Sequence, residues 1–355
     1  MRLGIIGLPQ SGKTTIFNAL TRGKQPVTAS AGRMEVHTAV VDVPDERVDK
    51  LSAIFKPRKT IYAKVTYADV AGLEGGTKTE IAGTLLNQLS QMDGFIHVVR
   101  CFLDENVPHP QGGVDAARDL QTMDEEFILN DQIKVERKLT SLKEERQKGG
   151  GRDKAVIEQE LALFEKLLAA LQQAQPLRDM SFSEEELKIA SGFGFLTQKP
   201  VLVLLNIGEG QTSPPITYSH QNSRLLAIQG KLEMDIAQLP PEEAEVFLQE
   251  YHIEEPGLQR MIRLSYDLLG LQSFFTVGED EVRAWTVHRG ALTPEAAGVV
   301  HTDMQKGFIR AEVIAYQDMI ALATMAEVRS HGKLRLEGKT YPVQDGDILN
   351  IRFNI

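Results

Sequence analysis

The stretch Gly7-Leu8-Pro9-Gln10-Ser11-Gly12-Lys13-Thr14 matches G-x-x-x-x-G-K-[ST] at every fixed position. Such a stretch binds phosphate. The glycines let backbone N–H groups close around phosphate oxygens, Lys13 reaches the β- and γ-phosphates as a compact positive charge, and Thr14 offers a hydroxyl to Mg²⁺. The expected phosphate-side contacts are therefore Leu8, Pro9, Gln10, Ser11, Gly12, Lys13, Thr14 and Thr15.

Two further stretches carry matching chemistry. Lys64 to Asp69 reads as a strand that ends in Asp69-Val70-Ala71-Gly72. There Asp69 can hold Mg²⁺, and the Gly72 N–H can sense a γ-phosphate, which makes Gly72 a catalytic candidate beside Lys13. The next residue, Leu73, cannot orient an attacking water. Farther on, Pro200 to Leu205 runs into Asn206-Ile207-Gly208-Glu209, where guanine-binding proteins carry N-K-x-D. The final Asp of that motif accepts two hydrogen bonds from the guanine N1–H and N2–H₂ edge, which adenine does not offer. Glu209 and Ile207 in these places weaken the case for guanine, and Gly230-Lys231-Leu232 lies in the loop expected to cover the base.

These residues need a particular scaffold. Arg2 to Ile6 and Val201 to Leu205 are short, apolar and β-branched or leucine-rich, as buried parallel strands are, while Thr15 to Leu20 spaces its apolar residues as a helix does. Strand, glycine-rich loop and helix in succession define an α/β chain. At 355 residues it is too long for one ordinary core. With 42% hydrophobic and 25% charged residues it is neither disordered nor fibrous, and a net charge of −10 argues against a wholly basic nucleic-acid binder. The single cysteine, Cys101, rules out an intrachain disulfide framework. Met1 to Ile6 leads into the phosphate loop rather than a signal cleavage site, and no apolar run approaches the ~20 residues that span a bilayer. A cytoplasmic protein with no membrane partner is expected.

From about Asp115 to Gln175 the sequence turns charged and almost proline-free, broken by Gly149-Gly150-Gly151. This predicts an antiparallel helical pair with the glycines at its tip. Phe127, Ile128, Ile133, Val135, Leu139 and Leu142 on one arm are expected to meet Val156, Ile157, Leu161, Phe164, Leu167, Leu168 and Leu171 on the other. Basic residues outnumber acidic ones near that tip, as on a solvated face or a face that meets RNA. Beyond a helical connector, short strands at 274–277, 282–287, 309–314, 333–336 and 348–353, with a helix at 294–300, predict a small α+β domain. Arg283 and Trp285 are expected on opposite faces of their strand. His301 beside Asp303 reads as a structural hydrogen bond, since no nucleophile accompanies it.

In their order these stretches resemble the YchF (Obg-like ATPase) family over nearly the whole chain. The residues that carry the resemblance are Gly7 to Thr14, Asp69 to Leu73, His97-Val98-Val99-Arg100-Cys101-Phe102, Asn206 to Glu209, Glu254 to Leu258, Val282 to Val287, His301 to Asp303, Gly307 to Val313 and Val343 to Asp347. The resemblance implies a P-loop NTPase with a doubly wound sheet, a helical, coiled-coil-like insert at about 115–190, and a C-terminal TGS domain of the β-grasp type. It places the domain boundary between 273 and 274. It also implies ATP as substrate, Mg²⁺ as cofactor, a ribosome or other RNA–protein complex as partner, and His109, on a mobile loop, as the residue acting in hydrolysis. The chain departs from the family at Gln10-Ser11, where Asn-Val is usual, at Arg33 in place of a first-switch threonine, and in a shorter second switch. The expected activity is therefore slow ATP hydrolysis. GTP hydrolysis, or nucleotide-gated binding with little turnover, is the alternative.

Overall fold

The computed structural model describes residues 1–22, 37–70, 83–148, 151–251 and 253–354. In chain order the elements begin β1 (Arg2–Ile6), α1 (Lys13–Thr21), β2 (His37–Asp42), α2 (Glu46–Phe55), β3 (Lys59–Ile61), β4 (Lys64–Asp69), α3 (Gly83–Ser90) and β5 (Gly94–Arg100). The long α4 (Ala116–Lys148) and α5 (Lys154–Gln172) follow, then α6 (Glu184–Ser191), β6 (Val201–Asn206), β7 (Ser223–Ile228), α7 (Gly230–Gln238), α8 (Pro241–Glu250) and α9 (Gly257–Leu268). The chain continues through β8 (Leu271–Val277), β9 (Glu281–His288), α10 (Thr293–Val300), α11 (Thr302–Lys306), β10 (Phe308–Ala315), β11 (Arg335–Glu337) and β12 (Asp347–Phe353).

By packing, the chain divides into two units. The first comprises Met1–Ala39 with Thr66–Leu258, the second Val40–Val65 with Gln259–Ile355. This division differs from a boundary at 273/274, because 40–65 packs with the C-terminal segment.

In the first unit the sheet runs in the order β2-β4-β1-β5-β6-β7. Strand β1 lies between β4 and β5, and all of the β4-β1-β5-β6-β7 pairings are parallel. Every residue of β5 and of β6 is buried, as expected for parallel strands covered on both faces. Loops that leave the carboxyl ends of such strands converge on one edge of the sheet, which is where α/β folds bind ligands.

The helical pair forms as the sequence predicts. Lys138–Glu160, Arg146–Glu158 and Arg152–Glu145 ion pairs cross between or cap its arms. Its core contains Val135, Leu139, Leu142, Ile157, Leu161, Phe164, Leu167 and Leu171. Two expected contacts are corrected. Val156 is exposed, and Phe127 joins the core of the parallel-sheet region instead, its ring centroid 5.2 Å from that of Phe95. Gly149 and Gly150 of the expected tip lie outside the described residues.

The second unit holds a mixed sheet in the order β11-β10-β12-β8-β9-β3. Parallel β12 and β8 form its centre, antiparallel β10 and β9 flank them, and α10 contributes Ala296 and Ala297 to the core beneath. This is the mixed α+β domain expected from the C-terminal strands. Edge strand β3 pairs in parallel with β9, so residues 59–61 complete a sheet built otherwise from 271–353. Arg283 and Trp285 share one face, with the guanidinium 3.9 Å from the ring centroid. Residues two apart in a strand point the same way, which overturns the opposite-face expectation. His301 accepts the Asp303 N–H at 3.2 Å and so caps α11, a structural role.

Candidate nucleotide site

The phosphate loop joins β1 to α1. Gly7 and Gly12 hold φ of 146° and 97°, and an added Cβ would drive into the Val98 carbonyl oxygen at Gly7 and the Asn206 amide at Gly12. Glycine is required at both places. Gln10 also adopts a left-handed conformation, φ 62°, which asparagine tolerates better than glutamine does. Helix α1 has no side-chain cap at its N-terminus, so its first N–H groups face the loop, where an anion is favoured.

Lys13 curls back over the loop. Its Nζ donates to the carbonyl oxygens of Gly7 and Leu8, both at 2.8 Å. Burial lowers its pKa to about 8, partly opposed by the nearby Asp69 charge. Asp69 is itself buried at the end of β4, and desolvation raises its pKa, opposed by Lys13, His37 and a hydrogen bond from Thr14. Lys13, Thr14 and Asp69 thus meet at one point. The Ser11 hydroxyl oxygen is buried with no hydrogen-bond partner among the described residues.

Asn206 ties this loop to the base side. Its Nδ2 donates to the Ser11 carbonyl oxygen at 3.0 Å and its Oδ1 accepts the Gly230 N–H at 3.0 Å. Gly230, the first residue of α7, has no room for a Cβ beside Asn206 and Ile16. Ile207 and Leu232 are half-buried, whereas Glu209 and Lys231 are exposed. The sequence pattern did not single out Gln211, whose Oε1 accepts the Gly208 N–H at 2.7 Å and so shapes the 206–209 turn. Phe102, which belongs to a resembling stretch but carries no role in the sequence pattern, lies against both Gly12 and Gly208.

His109 does not stand free on its loop. Its side chain is 3% exposed and its Nε2 lies 2.8 Å from Asp119 Oδ2. The pair satisfies both buried side chains, and nothing in the local spacing announces that partner. Gly72, Leu73 and Arg33 lie outside the described residues.

Other groups nearby are structural. His97 is fully buried in β5 and its pKa is pushed down to about 3 by burial, then by the charges of Lys13 and Arg178. It stays neutral. Cys101 lines a cavity of about 490 Å³ with Val114, Ala116, Gly210, Gln211, Thr212 and Pro214, none of them in the phosphate loop. Burial, helped by Asp119, raises its thiol to about 12, so it is no nucleophile near neutrality. Among the described residues, no helix is long and apolar enough to cross a membrane.

A family model described as a 50S ribosome-binding GTPase matches residues 2–138, and a YchF GTPase C-terminal model, described as a protein of unknown function, matches residues 271–354. The chain is 39% identical over 366 residues to the ribosome-binding ATPase YchF of Bacillus subtilis, with 99% of each chain covered. It is 41% identical to the protein of that name from Haemophilus ducreyi, over all of this chain and 99% of the other. The solved structure of the Schizosaccharomyces pombe YchF GTPase superposes with a TM-score of 0.85 at 30% identity, covering 99% of this chain and 97% of that one.

Proposed function

The chain belongs to the YchF family, and from that premise we propose that it is a Mg²⁺-dependent ATPase whose nucleotide state governs binding to the ribosome. The observation that carries this reading is the meeting of Lys13, Thr14 and Asp69 under a glycine loop that Asn206 fastens to Gly230. The names of the relatives, ribosome-binding ATPases, support the partner and the cytoplasmic setting.

The donor set fits Mg²⁺. Thr14 and Asp69 supply hard oxygens, and the described residues contain no cluster of three or more His, Cys, Asp or Glu that would hold a metal unaided. Mg²⁺ suits such a site because it binds one or two protein oxygens together with substrate phosphates and water. When bound, it neutralises charge on the phosphates. Lys13 must leave the Gly7 and Leu8 carbonyls to meet those phosphates, while the N–H groups of Leu8, Gln10 and Gly12 to Thr15 orient them; Pro9 has none to give. Ile207 and Glu209, replacing the guanine-reading pair, favour ATP over GTP. His109 acts in hydrolysis in place of the polar group that Leu73 lacks, and Gly72 senses the γ-phosphate.

The division of labour at 273/274, with the second part a TGS module that meets partner or RNA, belongs to the same proposal. Calorimetric titration with ATP, GTP and their non-hydrolysable analogues, with and without Mg²⁺, tests it. Tighter Mg²⁺-dependent binding of ATP than of GTP is expected, and absence of nucleotide binding would sink the reading.

A further inference from the structure

We propose that His109 and Asp119 form a latch through which helix α4 withholds the imidazole, so that breaking this pair releases it. The proposal rests on the reading of His109 as a hydrolytic group and adds its control.

Both ring nitrogens are in use inside the protein. Nε2 lies 2.8 Å from Asp119 Oδ2, and Nδ1 faces the Gln111 N–H at 3.2 Å and an Arg118 guanidinium nitrogen at 3.4 Å. The imidazole and carboxylate side chains are 3% and 4% exposed. An imidazole so engaged has no nitrogen left for a water molecule. Arg118 braces the arrangement, donating to Asp119 Oδ1 at 2.8 Å and to the Gly113 carbonyl at 2.7 Å. At the root of the same loop, the buried Arg100 donates to the carbonyls of Phe102 and Val107 at 3.2 and 2.7 Å. The loop is therefore fixed at its start by β5 and at its end by α4.

The two anchors differ in what they can do. Arg100 stands in a buried central strand and cannot shift without disturbing the sheet. Asp119 stands in the first turn of α4, a helix of 33 residues that at 1.5 Å per residue reaches about 50 Å, with α5 packed along its far part. Asp119 and Arg118 hold the loop's end through side-chain hydrogen bonds alone, so their loss frees His109 and leaves Arg100 in place. The latch then opens while the loop's root holds.

The test uses the full chain with ATP and Mg²⁺, and reads two things: carbethoxylation of His109 by diethyl pyrocarbonate, followed by mass spectrometry, and single-turnover hydrolysis. In the parent, His109 should react far more slowly than the exposed His301. Asp119→Asn should raise the His109 reaction rate by about tenfold, the effect of losing one charge-assisted hydrogen bond, and should speed hydrolysis. Arg118→Gln, which disturbs the interior less, should move both readouts the same way by a smaller factor. His109→Ala should slow hydrolysis, and adding Asp119→Asn to it should restore nothing.

If both variants leave His109 protected, the latch is wrong. It is equally wrong if Asp119→Asn slows hydrolysis as His109→Ala does, because Asp119 would then orient a working imidazole rather than withhold it. Hydrolysis unchanged by His109→Ala overturns the hydrolytic reading instead, and the carbethoxylation rates still decide whether Asp119 holds the loop.

Discussion

Asn206, the last residue of β6, and Gly230, the first residue of α7, are joined by a 3.0 Å hydrogen bond from the Gly230 N–H to the Asn206 Oδ1. The opposite end of the same amide holds the Ser11 carbonyl oxygen, so one side chain sets the distance between the phosphate and base sides of the site.

Replacing Asn206 with Ala leaves two buried backbone groups unpaired. Each such loss costs about 1–3 kcal/mol. ATP affinity should fall at least tenfold by calorimetry, and the melting temperature should drop. Asn206→Asp should keep the bond to Gly230, lose the one to Ser11, and fall between the two.

The depressed pKa of Lys13 makes binding and stability respond to pH with opposite signs. Phosphate needs the ammonium form, so ATP affinity should decline as pH rises through about 8, with proton uptake visible in buffers of different ionisation enthalpy. In the unfolded chain the same lysine keeps its proton up to its ordinary value near 10.5. The unfolded state therefore binds more protons between these values, and the nucleotide-free protein should gain stability there as pH rises. Lys13→Met should remove that gain and abolish most ATP binding.

Base preference should follow the 206–209 turn. The double substitution Ile207→Lys with Glu209→Asp should shift the ratio of ATP to GTP affinities towards GTP by about tenfold or more, since a correctly paired guanine edge is worth about 1–3 kcal/mol. Equilibrium titration of both nucleotides on one preparation measures it.

Asp131 predicts a loss of stability without loss of chemistry. Its fully buried carboxylate accepts the Leu196 and Thr197 N–H groups at 2.9 and 2.7 Å and the Thr197 hydroxyl at 2.7 Å. Asp131→Ala should lower the urea unfolding free energy by about 3 kcal/mol or more. Where the variant remains folded, its ATP affinity should match that of the parent.

The readability of these features follows the range of the forces behind them. Gly7, Gly12, Lys13 and Thr14 act through local backbone geometry, so their spacing exposes the loop directly. Strands β5 and β6 show as continuous apolar runs because both of their faces are covered. The partner of His109 was hidden, because Asp119 looks like any acid in the first turn of a helix and its burial depends on how the loop folds back. Phe127 carries the same helical periodicity as Leu139, and only the path of α4 across Phe95 decides which core takes it. Residues 59–61 are too short and polar to read as a strand, and their pairing with β9 is set by tertiary geometry alone.

That last pairing constrains the order of events during synthesis. Strand β3 leaves the ribosome more than two hundred residues ahead of its partner β9. At 5–20 residues per second it waits about 10–45 s for the strand it must join. Throughout that interval α2 and β3 lack their sheet, and the apolar side chains of Val48 and Leu51, buried in the finished protein, have no core to enter. The second unit is consequently a late-maturing one, and α2 with β3 is a segment that a nascent-chain chaperone or a protease would meet before its sheet exists.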